Sequence, residues 1–304
     1  MTSVDIMLPH YGRLDHVQAT VRSVLAQDDP NWQLTVVDDA GELPDDGLGG
    51  WCMELAEPRV RYQRNERNLG INRNFQRCVS LVEHDLTVII GSDDLMLPHY
   101  IRTVRAAHRA NPDVAIIQPG VEIIDENGER AQTLVDLSKR WIFAPRVRET
   151  ALLAGEDLAV SLLHGNWLYF PSLCWRSGPL RRTGFREGMS VIQDLALVLD
   201  LVLDGESLLV EPISCFQYRR HRFSVSSAHA ADGRRFAEER TYFLETADRM
   251  AAHGWPRAAR AARRHLSSRI NALTRLPMAL RHGQADGARM LARHVFGGRS
   301  SAQP

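Results

Sequence analysis

Apolar and polar positions alternate over Val4, Ile6 and Leu8, the period-two signature of a strand. Val17, Val21, Val24 and Leu25 then recur at helical spacing, behind Asp15 at an N-cap position with Gln18 three residues on. The rhythm repeats. Leu34 to Val37 is a short apolar strand ending on Asp38 and Asp39, and Val60 to Tyr62 predicts another. Phe75, Cys78, Val79 and Val82 share a helical face before Leu86 to Ile90, an apolar run of the kind a parallel sheet buries on both faces. A helix with Ile101 and Val104 inward follows Pro98, and Val114 to Ile117 is a further strand. Repeated strand–helix units predict an α/β fold, a mainly parallel sheet flanked by helices, whose ligands collect beyond the carboxyl ends of the strands.

Beyond Val121 the pattern loosens. Asp125 to Gly128 reads as a hairpin turn, and the stretch to Thr150 as an irregular excursion that shapes a cleft. A β-rich piece is expected around Trp167 to Trp175. Ile192 to Leu203 is apolar on nearly all sides and predicts a buried helix with Asp194 in its first turn, where the helix dipole favours a carboxylate. Residues 230–296 read as helical and rich in Ala and Arg, and 297–304 as a frayed end. No internal repeat is present.

With 304 residues, 44% hydrophobic and 24% charged, the chain excludes whole-chain disorder. No run of about 18 apolar residues occurs and the first residues lack signal-peptide order, so a cytoplasmic location is expected. The four cysteines are scattered, which argues for buried thiols over a disulfide framework or a thiolate zinc site. Net charge is zero, yet residues 229–304 carry 14 arginines against 6 acids, a surplus of +8. Packing or self-association of this basic tail is the default expectation, with contact to an acidic membrane surface as the other.

Two acidic pairs carry the candidate chemistry: Asp38-Asp39 after the second strand and, in Gly91-Ser92-Asp93-Asp94, a second pair after the fourth. Each pair alone also reads as a turn or a helix cap, Asp38-Asp39 more so than Asp93-Asp94. Together they suggest a pocket for a nucleotide and a hard divalent cation, because adjacent carboxylates repel unless a cation offsets them. No G-x-G-x-x-G or P-loop is present. Tyr11, in the loop after the first strand, can stack on a base or simply pack.

The ordered series LPHYGR, SVLAQ, VVDDA, NLGINRN, GSDDLMLP, IQDLALVL and YRRHRFSVS, over roughly residues 4–227, resembles the family 2 glycosyltransferases of GT-A fold. The resemblance implies a glycosyltransferase domain over 1–228, with a nucleotide-sugar half at 1–118 and an acceptor half at 119–228, followed by basic helices at 229–304. It implies that Pro9 and Tyr11 face the nucleotide, that Asp38 and Asp39 read the base edge, and that Asn68, Gly70, Arg73 and Asn74, with Ser92, line the route to the diphosphate. Asp93 and Asp94 match the end of the metal-binding D-x-D element, shortened here because Gly91 stands where many members have its first acid, and His221 matches a histidine that closes over metal or diphosphate. Mn²⁺ or Mg²⁺ is the implied cofactor.

Asp194 matches the catalytic base, preceded by Gln193 where the family has Glu. Gly165, Asn166 and Trp167 match the segment under donor sugar and acceptor, and Arg219 and Arg220 the cations at the diphosphate. The implied reaction is inverting transfer of one sugar, since the Q-x-x-R-W element of processive synthases is missing. A nucleoside diphosphate sugar, UDP-linked first, is the implied donor, to a glycan, lipid-linked or small-molecule acceptor, without nucleic acid. The alternatives are a catalytically weakened binding protein, a receiver domain, disfavoured because the only lysine is Lys139, and a nucleotidyltransferase, disfavoured by the first loop.

Overall fold

A computed structural model describes residues 3–40, 46–131, 136, 142–189, 191–220, 234–281 and 285–297. They fall into two compact units, the first drawn from 1–137, 145–155 and 168–220, the second from 138–144, 156–167 and 221–304. The second unit thus takes in 156–167, which the sequence had suggested would belong with the acceptor half.

The first unit is built on a sheet of nine strands: β1 (Val4–His10), β2 (Trp32–Asp38), β3 (Val60–Arg64), β4 (Leu86–Ile89), β5 (Leu95–Met96), β6 (Ile116–Ile124), β7 (Ala151–Leu153), β8 (Cys174–Arg176) and β9 (Leu208–Arg219). Their order is β3-β2-β1-β4-β8-β6-β9-β5, with β7 also on β9. The helices are α1 (Leu14–Leu25), α2 (Leu48–Glu54), α3 (Ile71–Ser80), α4 (Tyr100–Ala110), α5 (Gly155–His164), most of which belongs to the second unit, α6 (Ser177–Thr183) and α7 (Gln193–Leu203).

Strands β3, β2, β1 and β4 are parallel, as the alternation requires. The remainder is mixed. β8 lies antiparallel between β4 and β6, while β6 and β9 are parallel and β5 and β7 pair antiparallel with β9. The stretch expected to be β-rich around Trp167 to Trp175 holds a 3₁₀ turn at Phe170–Ser172 before the three residues of β8. Helix α1 is preceded by Arg13 at its N-cap, and Asp15 sits inside the first turn, paired with Arg13.

Burial explains the apolar runs. Ile6, Leu8, Leu34, Val36, Val88 and Ile117 are fully buried with Val17, Val21, Val24, Ile101 and Val104 of the flanking helices in one core. All four cysteines are free and buried within the fold. Ile90 donates its N–H to Met7 O, so alternation turns the Pro9 nitrogen toward the same side, past the last β1–β4 pair at Met7 and Ile89. Proline is tolerated there because no ladder partner remains to be served. β6 crosses an irregularity of β9 at Gly120, where a Cβ would lie 2.8 Å from both Pro212 O and Ser214 N.

In the second unit α8 (Arg234–Ala252), α9 (Pro256–Arg264), α10 (Leu266–Arg281) and α11 (Ala285–Phe296) follow one another. Phe236, Ala272, Ala279, Ala288 and Leu291 form their buried centre.

Candidate active site

The carboxyl ends of β1, β2 and β4 lie side by side and carry both acidic pairs, as the sequence anticipates. Asp38 and Asp39 are each 2% exposed. Asp38 Oδ1 accepts the Ala40 N–H (2.8 Å) and Oδ2 the Tyr62 hydroxyl (2.6 Å), with Arg64 Nε 3.9 Å away. Asp39 fastens the next loop: Oδ1 accepts Asn65 Nδ2 and the Leu69 N–H (both 2.8 Å), and Oδ2 the Gly70 N–H (2.9 Å). Its carbonyl accepts Asn68 Nδ2 at 3.0 Å.

Asn65 also donates to Asn74 Oδ1, and Asn74 Nδ2 to Val37 O, so the loop is tied back to β2. Gly70, at φ +77°, then opens α3 in a backbone region that suits glycine. Arg73 is exposed in the first turn of α3, with no ion pair among the described residues. Beside Asp38 the buried His10 leaves Nδ1 without a partner among the described residues. Burial lowers its basicity, against the opposing pull of Asp38 and Asp46.

At the second pair the two carboxylates converge over Gly91. A Cβ on Gly91 would lie 2.5 Å from Asp94 Oδ2 and 3.0 Å from Asp93 Oδ1. Asp94 is fully enclosed; Oδ1 accepts the Arg219 N–H at 2.8 Å and its carbonyl accepts the Thr20 hydroxyl. Burial, and then the charge of Asp93, push the Asp94 carboxyl well above the usual carboxylate range. Arg219 secures this turn: Nε donates to Asp93 O (2.8 Å) and Nη1 to Asp125 O and Glu126 O. Among the described residues, no group of three or more His, Cys, Asp or Glu side chains converges as a metal site.

Asp194 stands in the first turn of α7, as expected, with Oδ1 accepting the Leu195 N–H at 2.7 Å. Gln193 is buried and ties α7 to α3, its Oε1 accepting Asn72 Nδ2 at 2.7 Å. Asn72 also donates to Arg186 O, and Arg186 forms a two-pronged pair with Asp200 at 2.6 and 2.7 Å. Burial raises the Asp200 carboxyl in spite of that arginine.

The expected diphosphate cations are both engaged. Arg219 holds backbone carbonyls, and Arg220 holds Asp136 through two bonds of 2.5 and 3.2 Å while its guanidinium lies 4.9 Å over the Tyr218 ring. Asp136 also accepts the Tyr169 hydroxyl at 3.1 Å. Tyr11 is 61% exposed, and Ser92 is half-buried beside Asp93. Gly165, Asn166 and Trp167 belong to the second unit, where Trp167 Nε1 donates to Ser161 and the Phe143 ring occupies the space a Cβ on Gly165 would need. His221 lies outside the described residues.

Asn72 lies within the NLGINRN series but is given no role there; as site residues, the sequence reading missed Tyr62, Asn65, Tyr169 and Asp136 altogether. Each is a single polar residue whose partner is at least nine positions away, so no local pattern marks it.

The model of the family described as Glycosyl transferase family 2 matches residues 5–175. Among curated proteins, "Uncharacterized protein MT1568" of Mycobacterium tuberculosis is 28% identical over 248 residues, 79% of this chain and 74% of that protein. The putative colanic acid biosynthesis glycosyl transferase WcaA of Escherichia coli is 27% identical over 106 residues, 35% of this chain and 37% of its own. Among solved structures, S. aureus TarS 1–349 in complex with UDP-GlcNAc superposes with a TM-score of 0.62 at 12% identity, covering 96% of this chain and 90% of that one.

Proposed function

The chain belongs to glycosyl transferase family 2, and from that premise we propose that it transfers a single sugar, with inversion, from a nucleoside diphosphate sugar to an acceptor hydroxyl. The observation that carries this reading is that Asp38-Asp39 and Asp93-Asp94 both stand at the carboxyl ends of parallel strands, β2 and β4, on either side of β1. Uridine diphosphate sugars are the donor class of choice, because solved TarS structures hold UDP-GlcNAc and UDP.

The residues at Gly91 to Asp94 suit Mn²⁺ or Mg²⁺. Two hard carboxylates turned toward one point satisfy an ion that completes its shell with water and substrate phosphates, and a third side-chain ligand is not required. A cation bound there supplies offsetting charge for the departing diphosphate.

Asp194 is the base. In the displacement the acceptor oxygen forms a bond to the anomeric carbon as the bond from that carbon to the diphosphate oxygen breaks, and the acceptor proton passes to the Asp194 carboxylate. Gln193 fixes the start of α7 against α3 through Asn72. Arg73, exposed at the head of α3, is a cation available to the diphosphate, whereas Arg219 and Arg220 shape the turns around it. The Asn65 to Gly70 loop, fastened to Asp39, sets where α3 begins.

Melting temperatures in UDP, dTDP, GDP and CDP, each with Mn²⁺ or with EDTA, test the reading. A metal-dependent rise with one nucleotide, lost in Asp93→Asn, supports it; no rise with any nucleotide refutes it. Turnover of the matching sugar then separates an enzyme from a protein that only binds.

A further inference from the structure

Helix α10 is inverted with respect to the usual surface helix, whose exposed face is polar. Leu266, Ile270, Leu273, Pro277 and Leu280 succeed one another at steps of four, three, four and three, and all are exposed. The leucines and isoleucine range from 47% to 64% exposed. The opposite face, with Ser268, Ala272 and Ala279, is the buried one. The outward stripe runs about 21 Å along the helix at 1.5 Å per residue.

Charge decides what covers it. From 249 to 285 the sequence has eight arginines and no acidic residue. Arg264 precedes the stripe by two positions and Arg281 adjoins its end; with Arg260 they are exposed and have no carboxylate partner among the described residues. A second copy seated on the stripe would bring two such acid-free, arginine-rich segments together, which repel. Anionic lipid headgroups attract the arginines, and the interface beneath them accepts the apolar side chains. No helix among the described residues is long and apolar enough to cross a membrane, so the contact is with the surface.

We propose that α10, flanked by its arginines, lies in the plane of an anionic lipid bilayer surface and holds the protein there. This site is separate from the donor site and independent of which nucleotide the first unit takes.

Flotation of the full chain with vesicles tests it, using phosphatidylcholine alone and phosphatidylcholine mixed with phosphatidylglycerol. The protein floats with the mixed vesicles and not with the neutral ones, and salt releases it. The double variant Ile270→Glu, Leu273→Glu abolishes flotation, while Arg260→Gln and Arg264→Gln each weaken it about fivefold, which corresponds to about 1 kcal/mol per arginine near the surface. Circular dichroism and nucleotide binding stay unchanged in these variants. The proposal is overturned if the protein fails to float with the mixed vesicles, if it floats equally with both, or if sedimentation finds a dimer that the glutamate variant splits.

Discussion

Asp38 and Asp39 are neighbours with equal burial, yet replacing each by asparagine has very different consequences. Asp39 accepts three hydrogen bonds, two of them from the backbone N–H groups of Leu69 and Gly70, which can only donate. In Asp39→Asn one oxygen becomes an NH₂ group facing such a donor. The lost charge-assisted bond is worth about 1.5–3 kcal/mol and the opposed donors add roughly 1–3 kcal/mol, so a total near 4 kcal/mol is expected. Asp38→Asn is milder: the oxygen can stay with the Ala40 N–H, and the Tyr62 hydroxyl can reverse its role and accept from the new amide. The distant Arg64 contact adds at most about 1 kcal/mol. Urea denaturation of the two variants measures the contrast, with UDP titration alongside. Asp39→Asn should lose about 4 kcal/mol and weaken nucleotide binding through the displaced head of α3; Asp38→Asn should lose about 1 kcal/mol. Equal losses, or an Asp39→Asn protein as stable as the parent, would refute the fastening role and leave base recognition as the sole business of that carboxylate.

Asp194→Asn should lower turnover by roughly 10²–10⁴-fold with donor affinity unchanged, measured by sugar transfer and by nucleotide titration; a parallel loss of affinity would remove Asp194 from the role of base. Arg73→Ala should weaken UDP binding about tenfold without shifting the melting temperature, as expected of an exposed cation meeting a diphosphate, and equal affinity would return the search to other cations. The buried rings of His265 and His294 have their pKa lowered from 6.5 to about 4, chiefly by burial. The unfolded chain therefore binds more protons between those values, so stability is complete above pH 6.5 and falls as pH drops toward 4, by roughly 3 kcal/mol per ring. Thermal melts followed by circular dichroism across that range should lose part of the slope in His294→Gln, and an identical slope would discount the ring.

The strands that build the donor end were legible because burial on both faces demands continuous apolar runs, as in Leu34 to Val37 and Leu86 to Ile90. The far side of the sheet was not. β5, β7 and β8 are two or three residues long, too short for any period to register, and β9 is interrupted by exposed Pro212 and Ile213, which break its apolar run. At the site the acids were legible and their partners were not. A pair such as Asp136 and Arg220 is made by chain reversal over 84 positions, and only the fold brings it together.

The two acidic pairs look alike as sequence and differ as electrostatics, and the difference separates their roles. Asp39 accepts donors at both oxygens, and its carboxylate meets the orphan N–H groups at the start of α3, where negative charge is favoured. Asp94 is as deeply buried and is pushed toward its protonated form, by that burial first and then by the charge of its neighbour Asp93, which the Arg219 N–H offsets only in part. Burial combined with like charge is an arrangement that an added cation relieves, whereas a carboxylate enclosed by N–H donors gains little from one. Divalent metal should therefore stabilise the fold by acting at Asp93 and Asp94, and the same addition to an Asp94→Asn protein, in which the repulsion has already been removed, should stabilise it far less.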